Sequence, residues 1–246
     1  MKKLILFLCV CFFVVGVTPA FTMTINVWEV TNENISTINN WMNAQYGSVH
    51  VLEDFEDIHS GWYTQKETGV GTFTAEGKIG TGATSYNKNH NEPSTDPYFS
   101  IQNRNVTWYG RSNTTTGEDA SQWLDSGDIT LLTLTLRDTS LTNLFFYIQD
   151  PADFSVTTLF ANDHNNVATN YTFSNETDNA SFFVGITLGD NEVLSTLSWS
   201  TASQSDGFGL DDFSTIHNPE PSTMLLFGFG LIGIASITRR WAMSGS

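Results

Sequence analysis

The sequence predicts an all-β domain, an antiparallel β-sandwich of jelly-roll type with one short N-terminal helix, set between an apolar segment at each end of the chain. Three observations carry that expectation. Short apolar and β-branched runs recur at roughly 8–12-residue spacing with turn residues between them, the pattern of a sandwich or barrel. Only one stretch has helical periodicity. The chain has 246 residues; about 200 remain between the end segments, enough for one sandwich with a sizeable core.

The first segment starts Met1-Lys2-Lys3 and runs apolar from Leu4 to Val17, followed by Thr18-Pro19-Ala20. A basic start, a short apolar stretch and small residues before a cut define a secretory signal. Residues 1–20 are therefore expected to be removed. Cys9 and Cys11 are the only cysteines and both lie in this run, so the exported domain is expected to use no disulfide, thiolate or Cys-ligated zinc.

The domain is expected over 21–217. From Glu33 to Tyr46, apolar Ile35, Ile38, Trp41, Met42 and Tyr46 recur at three- and four-residue spacing, which predicts an amphipathic helix over about 33–46. Val49–Phe55 is the first predicted strand. Gly61–Glu76 is a predicted hairpin, with Gly69 and Gly71 near its turn, and Tyr98–Tyr109 follows. Ile129–Leu136 alternates Leu132, Leu134 and Leu136 with Thr133 and Thr135, a half-buried strand. Leu144–Ile148, Phe154–Phe160, Ser181–Leu188, Val193–Ser200 and Phe208–Ile216 complete the set. The polar stretches Tyr86–Asp96 and Ser112–Ser121 are expected loops. Asp150-Pro151 is a turn signal.

The formal net charge is −16. Lys2, Lys3, Arg239 and Arg240 sit in the end segments, and of the acidic residues only Glu220 does, so the domain is more acidic than the whole chain. It offers no basic footprint for nucleic acid. An acidic surface favours solubility and divalent cations.

Two acidic clusters stand out, Glu53-Asp54-Phe55-Glu56-Asp57 and the stretch Asp206–Phe213. Packing of first and last strands, common in jelly rolls, would bring them together, and close carboxylates repel unless a cation neutralises them. This pairing resembles the edges of MAM-like and carbohydrate-binding jelly rolls. The resemblance implies a structural Ca²⁺ held by Asp54, Glu56, Asp211 and Asp212. Strand alternation sends Asp211 and Asp212 to opposite faces, and solvent-facing or turn-forming carboxylates are the plainer alternative. Among the aromatics, Trp62, Trp108 and Tyr109 are candidates for stacking on sugar, with core packing as the alternative. His50, His59, His90, His164 and His217 show no His-Glu-x-x-His spacing, and no Gly-x-Ser-x-Gly elbow occurs, so a noncatalytic protein is expected. Paired carboxylates keep a secreted glycoside-active enzyme as an alternative. Six Asn-x-Ser/Thr patterns, at Asn34, Asn105, Asn113, Asn170, Asn175 and Asn179, are acceptors only where a glycosylation system acts on the exported chain.

The last segment, 218–246, begins Pro219-Glu220-Pro221-Ser222-Thr223, runs apolar from Met224 to Ile237, and ends in Thr238-Arg239-Arg240. A helix over about 222–238 with a basic tail 239–246 reads as a short transmembrane span with its arginines on the cytoplasmic side. Lys2 and Lys3 set the same orientation from the other end, which places the domain outside. The Pro-Glu-Pro, the apolar stretch and Arg239-Arg240 together resemble a PEP-CTERM sorting signal. That resemblance implies an exosortase as processing partner, a membrane-anchored precursor in a Gram-negative envelope, and a destination at the cell surface or in a biofilm matrix. A carbohydrate-binding module gripping exopolysaccharide is the second reading.

Overall fold

The computed structural model describes residues 22–45, 47–79, 96–103, 111–112, 114, 122–152, 155–174, 176–189, 192–203 and 206–217. The expected signal peptide and the sorting segment lie outside these residues, including Pro219, Glu220, Pro221, Arg239 and Arg240; so do Trp108 and Tyr109. Among the described residues no helix is long and apolar enough to cross a membrane.

The chain forms two antiparallel sheets and one helix. The strands are β1 (Thr24–Glu29), β2 (Ser48–Glu53), β3 (Gly61–Tyr63), β4 (Gln65–Glu67), β5 (Gly71–Ile79), β6 (Phe99–Asn103) and β7 (Gln122–Asp125). They continue as β8 (Ile129–Leu136), β9 (Asn143–Gln149), β10 (Val156–Asp163), β11 (Ala168–Ser174), β12 (Ser181–Thr187), β13 (Leu194–Thr201) and β14 (Gly209–His217). The helix α1 spans Ile35–Ala44, inside the predicted range. One sheet runs β1-β12-β9-β14-β7-β6-β3, with β2 also on β14; the other runs β11-β10-β13-β8-β5-β4. From β5 onward the chain crosses repeatedly between the sheets, which wraps the sandwich in jelly-roll fashion.

Alternation decides what each sheet buries. In β8, Leu132, Leu134 and Leu136 point inward. Thr133 and Thr135 point outward, in register with Thr74 and Thr72 of β5 and with Ser198 and Thr196 of β13. The centre of the core is aromatic. Phe146 and Phe213 of the first sheet stack at 4.8 Å between centroids, and Phe73 and Trp199 of the second close on them at 5.6 Å each. Such rings fill the space between sheets and add edge-to-face attraction.

The first sheet buries part of its outer face as well. Helix α1 lies there, with Ile38 packed into a second apolar cluster with Phe145, Phe183 and Ile216, flanked by Trp28, Trp41, Met42 and Tyr147. Gly185 makes this contact possible: a Cβ at that position would stand 2.6 Å from the Trp41 ring.

Candidate functional site

The rest of that outer face is polar. Register pairing sets one row of residues across five strands: Trp62, Ser100, Asp125, Gly209 and Gln149. Gly209 leaves a gap in the row, and the Trp123 ring and Arg111 fill it; a Cβ at Gly209 would meet them at 3.2 and 3.4 Å. Trp123 is fully buried.

Arg111, Ser112 and Thr114 are strapped over this face by residues of the row and of β14. Arg111 forms a buried ion pair with Asp125 at 3.4 Å. The Ser112 N–H donates to Gln149 Oε1 at 2.6 Å. Thr114 donates to Asp211 Oδ2 through its N–H at 2.6 Å and its hydroxyl at 3.0 Å, and that hydroxyl lies 3.1 Å from Asp212 Oδ2.

The two aspartates therefore reach the same residue, which corrects the expectation of opposite faces. The cause is a β-bulge. The β14–β9 register shifts between Asp211 and Ser214, and Asp212 takes φ +55°. A bulge re-aims side chains that strict alternation would separate.

The predicted meeting of the acidic clusters occurs at the level of the strands: β2 pairs with β14, with Glu53 opposite Phe213. The four proposed calcium ligands are each engaged in protein hydrogen bonds. Asp54 Oδ1 accepts from the Glu56 N–H at 3.2 Å, and Glu56 Oε1 accepts from the Gln122 N–H at 2.9 Å. Asp211 and Asp212 hold Thr114. Among the described residues no three His, Cys, Asp or Glu side chains converge as a metal site.

Glu53, which sequence reasoning left unassigned, proves to be a clamp. Its carboxylate accepts from the Phe55 N–H and from the Gly69 N–H, both at 2.6 Å. The first bond holds Phe55 at φ +61°, a left-handed conformation rare for a bulky residue. The second docks the β4–β5 turn against β2, so closely that a Cβ at Gly69 would stand 2.0 Å from the Leu52 carbonyl oxygen. Burial pushes the Glu53 carboxyl above its usual pKa; the two N–H donors pull it down, while Asp54 and Asp57 push it up. Beside this clamp lies a cleft of ≈ 610 Å³ lined by Glu53, Asp54, Asp57, His59, Lys66 and Glu67.

Trp62 is 40% exposed on the edge strand β3 and packs edge-on against Tyr98 at 5.0 Å. Of the three expected sugar-stacking aromatics it alone falls among the described residues.

Against known proteins, residues 219–240 match the PEP-CTERM protein-sorting motif. No curated protein matches the chain. Several solved structures resemble this chain. An exo-beta-agarase matches with a TM-score of 0.33 at 12% identity, over 70% of this chain and 25% of that one. The family 11 carbohydrate-binding module of the cellulase Lic26A-Cel5E from Clostridium thermocellum matches with a TM-score of 0.27 at 13% identity, over 71% of this chain and 97% of that one. The enzymatically active domain of tailspike protein 4 from bacteriophage CBA120 matches with a TM-score of 0.26 at 13% identity, over 66% and 20%. The chain thus spans about a quarter of the agarase it matches.

Proposed function

We propose that this chain is an exported, noncatalytic protein of the cell surface or biofilm matrix, delivered through exosortase processing of a membrane-anchored precursor. One observation carries the reading: the sorting motif at 219–240. Its parts have a physical logic. Prolines such as Pro219 and Pro221 favour an extended segment ahead of an apolar stretch, and paired arginines after such a stretch favour the cytoplasmic side. The acidic sandwich before it supports the same reading, since a strongly charged exterior keeps a displayed domain soluble. Replacing Pro219-Glu220-Pro221 with alanines should trap a longer, membrane-bound form, read by fractionation and intact mass. Mutant and parent of equal mass and location would refute processing there.

A second reading, binding of extracellular polysaccharide, is favoured by Trp62. It is a partly exposed aromatic on the edge strand β3, and a sugar's apolar face packs on such a ring. Retention on immobilised exopolysaccharide should fall several-fold in Trp62→Ala. Equal retention of the variant, with its melting temperature unchanged, would sink this reading.

A further inference from the structure

Among the described residues, one buried carboxylate with an unengaged oxygen opens the second acidic cluster, outside the four residues expected to hold calcium. Asp206 precedes β14 and is only 2% exposed. Its Oδ2 accepts a hydrogen bond from Ser155 Oγ at 2.7 Å. Its Oδ1 receives none. The two ion pairs among the described residues join other partners, Arg111 with Asp125 and Arg137 with Glu67. A carboxylate taken out of water with one neutral donor keeps most of its desolvation cost unless an opposite charge joins it.

What surrounds Asp206 is oxygen. Ser155 Oγ lies 3.1 Å from Thr201 Oγ1, which in turn lies 3.3 Å from the Ser203 carbonyl oxygen. Thr157 stands opposite Thr201 in the β10–β13 register. Thr157 is fully buried and its Oγ1 is a second polar atom without a partner. Asp206, Ser155, Thr201 and the Ser203 carbonyl thus form one partly buried chain of oxygens 2.7–3.3 Å apart, and the strand register sets Thr157 beside it. Oxygens that share a calcium ion, each at ~2.3–2.6 Å from it, are separated by about that much.

We propose that this pocket, formed by the start of β10, the end of β13 and the approach to β14, binds a hard cation of calcium size. Asp206 supplies the charge, and Asp206 Oδ1 and Thr157 Oγ1 are the ligands that no protein group engages. The neighbouring hydroxyls and the Ser203 carbonyl complete a set of neutral oxygens, which calcium accepts readily alongside carboxylate. A bound ion would tie β10, β13 and β14 together at one end of the sandwich and so join its two sheets.

The test uses the exported protein after EDTA treatment. Added Ca²⁺ should raise its melting temperature by a few degrees. Tb³⁺ should bind in its place and luminesce on tryptophan excitation, because Trp199 faces inward two positions before Thr201; Ca²⁺ should quench that signal by competition. Asp206→Asn should lose both responses while melting, in EDTA, at or above the parent. Asp211→Asn should keep both. Should Asp206→Asn fail to fold, Thr157→Val serves instead, with about a tenfold loss of calcium affinity expected. The proposal is overturned by a parent protein that shows neither response, by responses that survive Asp206→Asn or Thr157→Val, or by responses that Asp211→Asn abolishes.

Discussion

At the scale of single residues, Glu53 shows how one carboxylate sets two local conformations. It supplies the acceptor for the left-handed Phe55 and for the tightly docked Gly69. Removing it in Glu53→Ala leaves two N–H groups without their acceptor and should cost about 1–3 kcal/mol in urea unfolding. The pH dependence has a definite sign. Burial raises the pKa of Glu53 in the folded state, so folding favours its protonated form. Its contribution to stability is full below the ordinary glutamate pKa and is lost as pH rises through the folded value. The gap between parent and Glu53→Ala should therefore narrow as pH rises above the ordinary glutamate pKa; a gap that widens would contradict this account. Nothing in the string Leu52-Glu53-Asp54 marks Glu53 as the clamp. Its role depends on Gly69, sixteen positions away, and the same limit hid Arg111, whose partner Asp125 comes from another strand.

At the scale of elements, periodicity carried far where a segment has one wet side and one dry side. Strand β8 occupies the predicted Ile129–Leu136, and α1 lies within the predicted 33–46. Three strands escaped that reasoning for separate reasons. All four residues of β7, Gln122–Asp125, are buried, so it shows no alternation. In β11, Ala168–Ser174, only Phe173 is buried, leaving a polar string that resembles a loop. The third, β1, is a short half-exposed strand close behind the first apolar run of the sequence. The helix depends on packing more than on its own sequence: it has no side-chain cap, no acidic first turn and no basic last turn, and ten residues are marginal alone. Gly185→Ala would drive a methyl group into Trp41 and should lift the helix from the sheet at a cost of about 1–3 kcal/mol. Hydrogen exchange should show α1 amides losing protection while β8 and β13 keep theirs. Unchanged exchange in α1 would argue against this seating.

At the scale of the whole molecule, the sandwich class was legible because many short amphipathic runs admit few other arrangements. The division of labour between outer faces was not, since it depends on which strands become neighbours. One face of the first sheet holds a helix and a strap; the corresponding face of the second displays rows of threonine and serine. The position of β14 has a consequence for the order in which the protein is made. This last strand sits between β9 on one side and β7 and β2 on the other, and it contributes Phe213 to the aromatic centre. The sandwich therefore cannot close until nearly the entire domain has emerged from the export channel, and long-range pairings of this kind form slowly. Only one residue separates the end of β14 from the sorting motif. Completion of the fold and synthesis of the sorting motif thus fall almost together, so the motif arrives just as the strands most prone to aggregate find their partners.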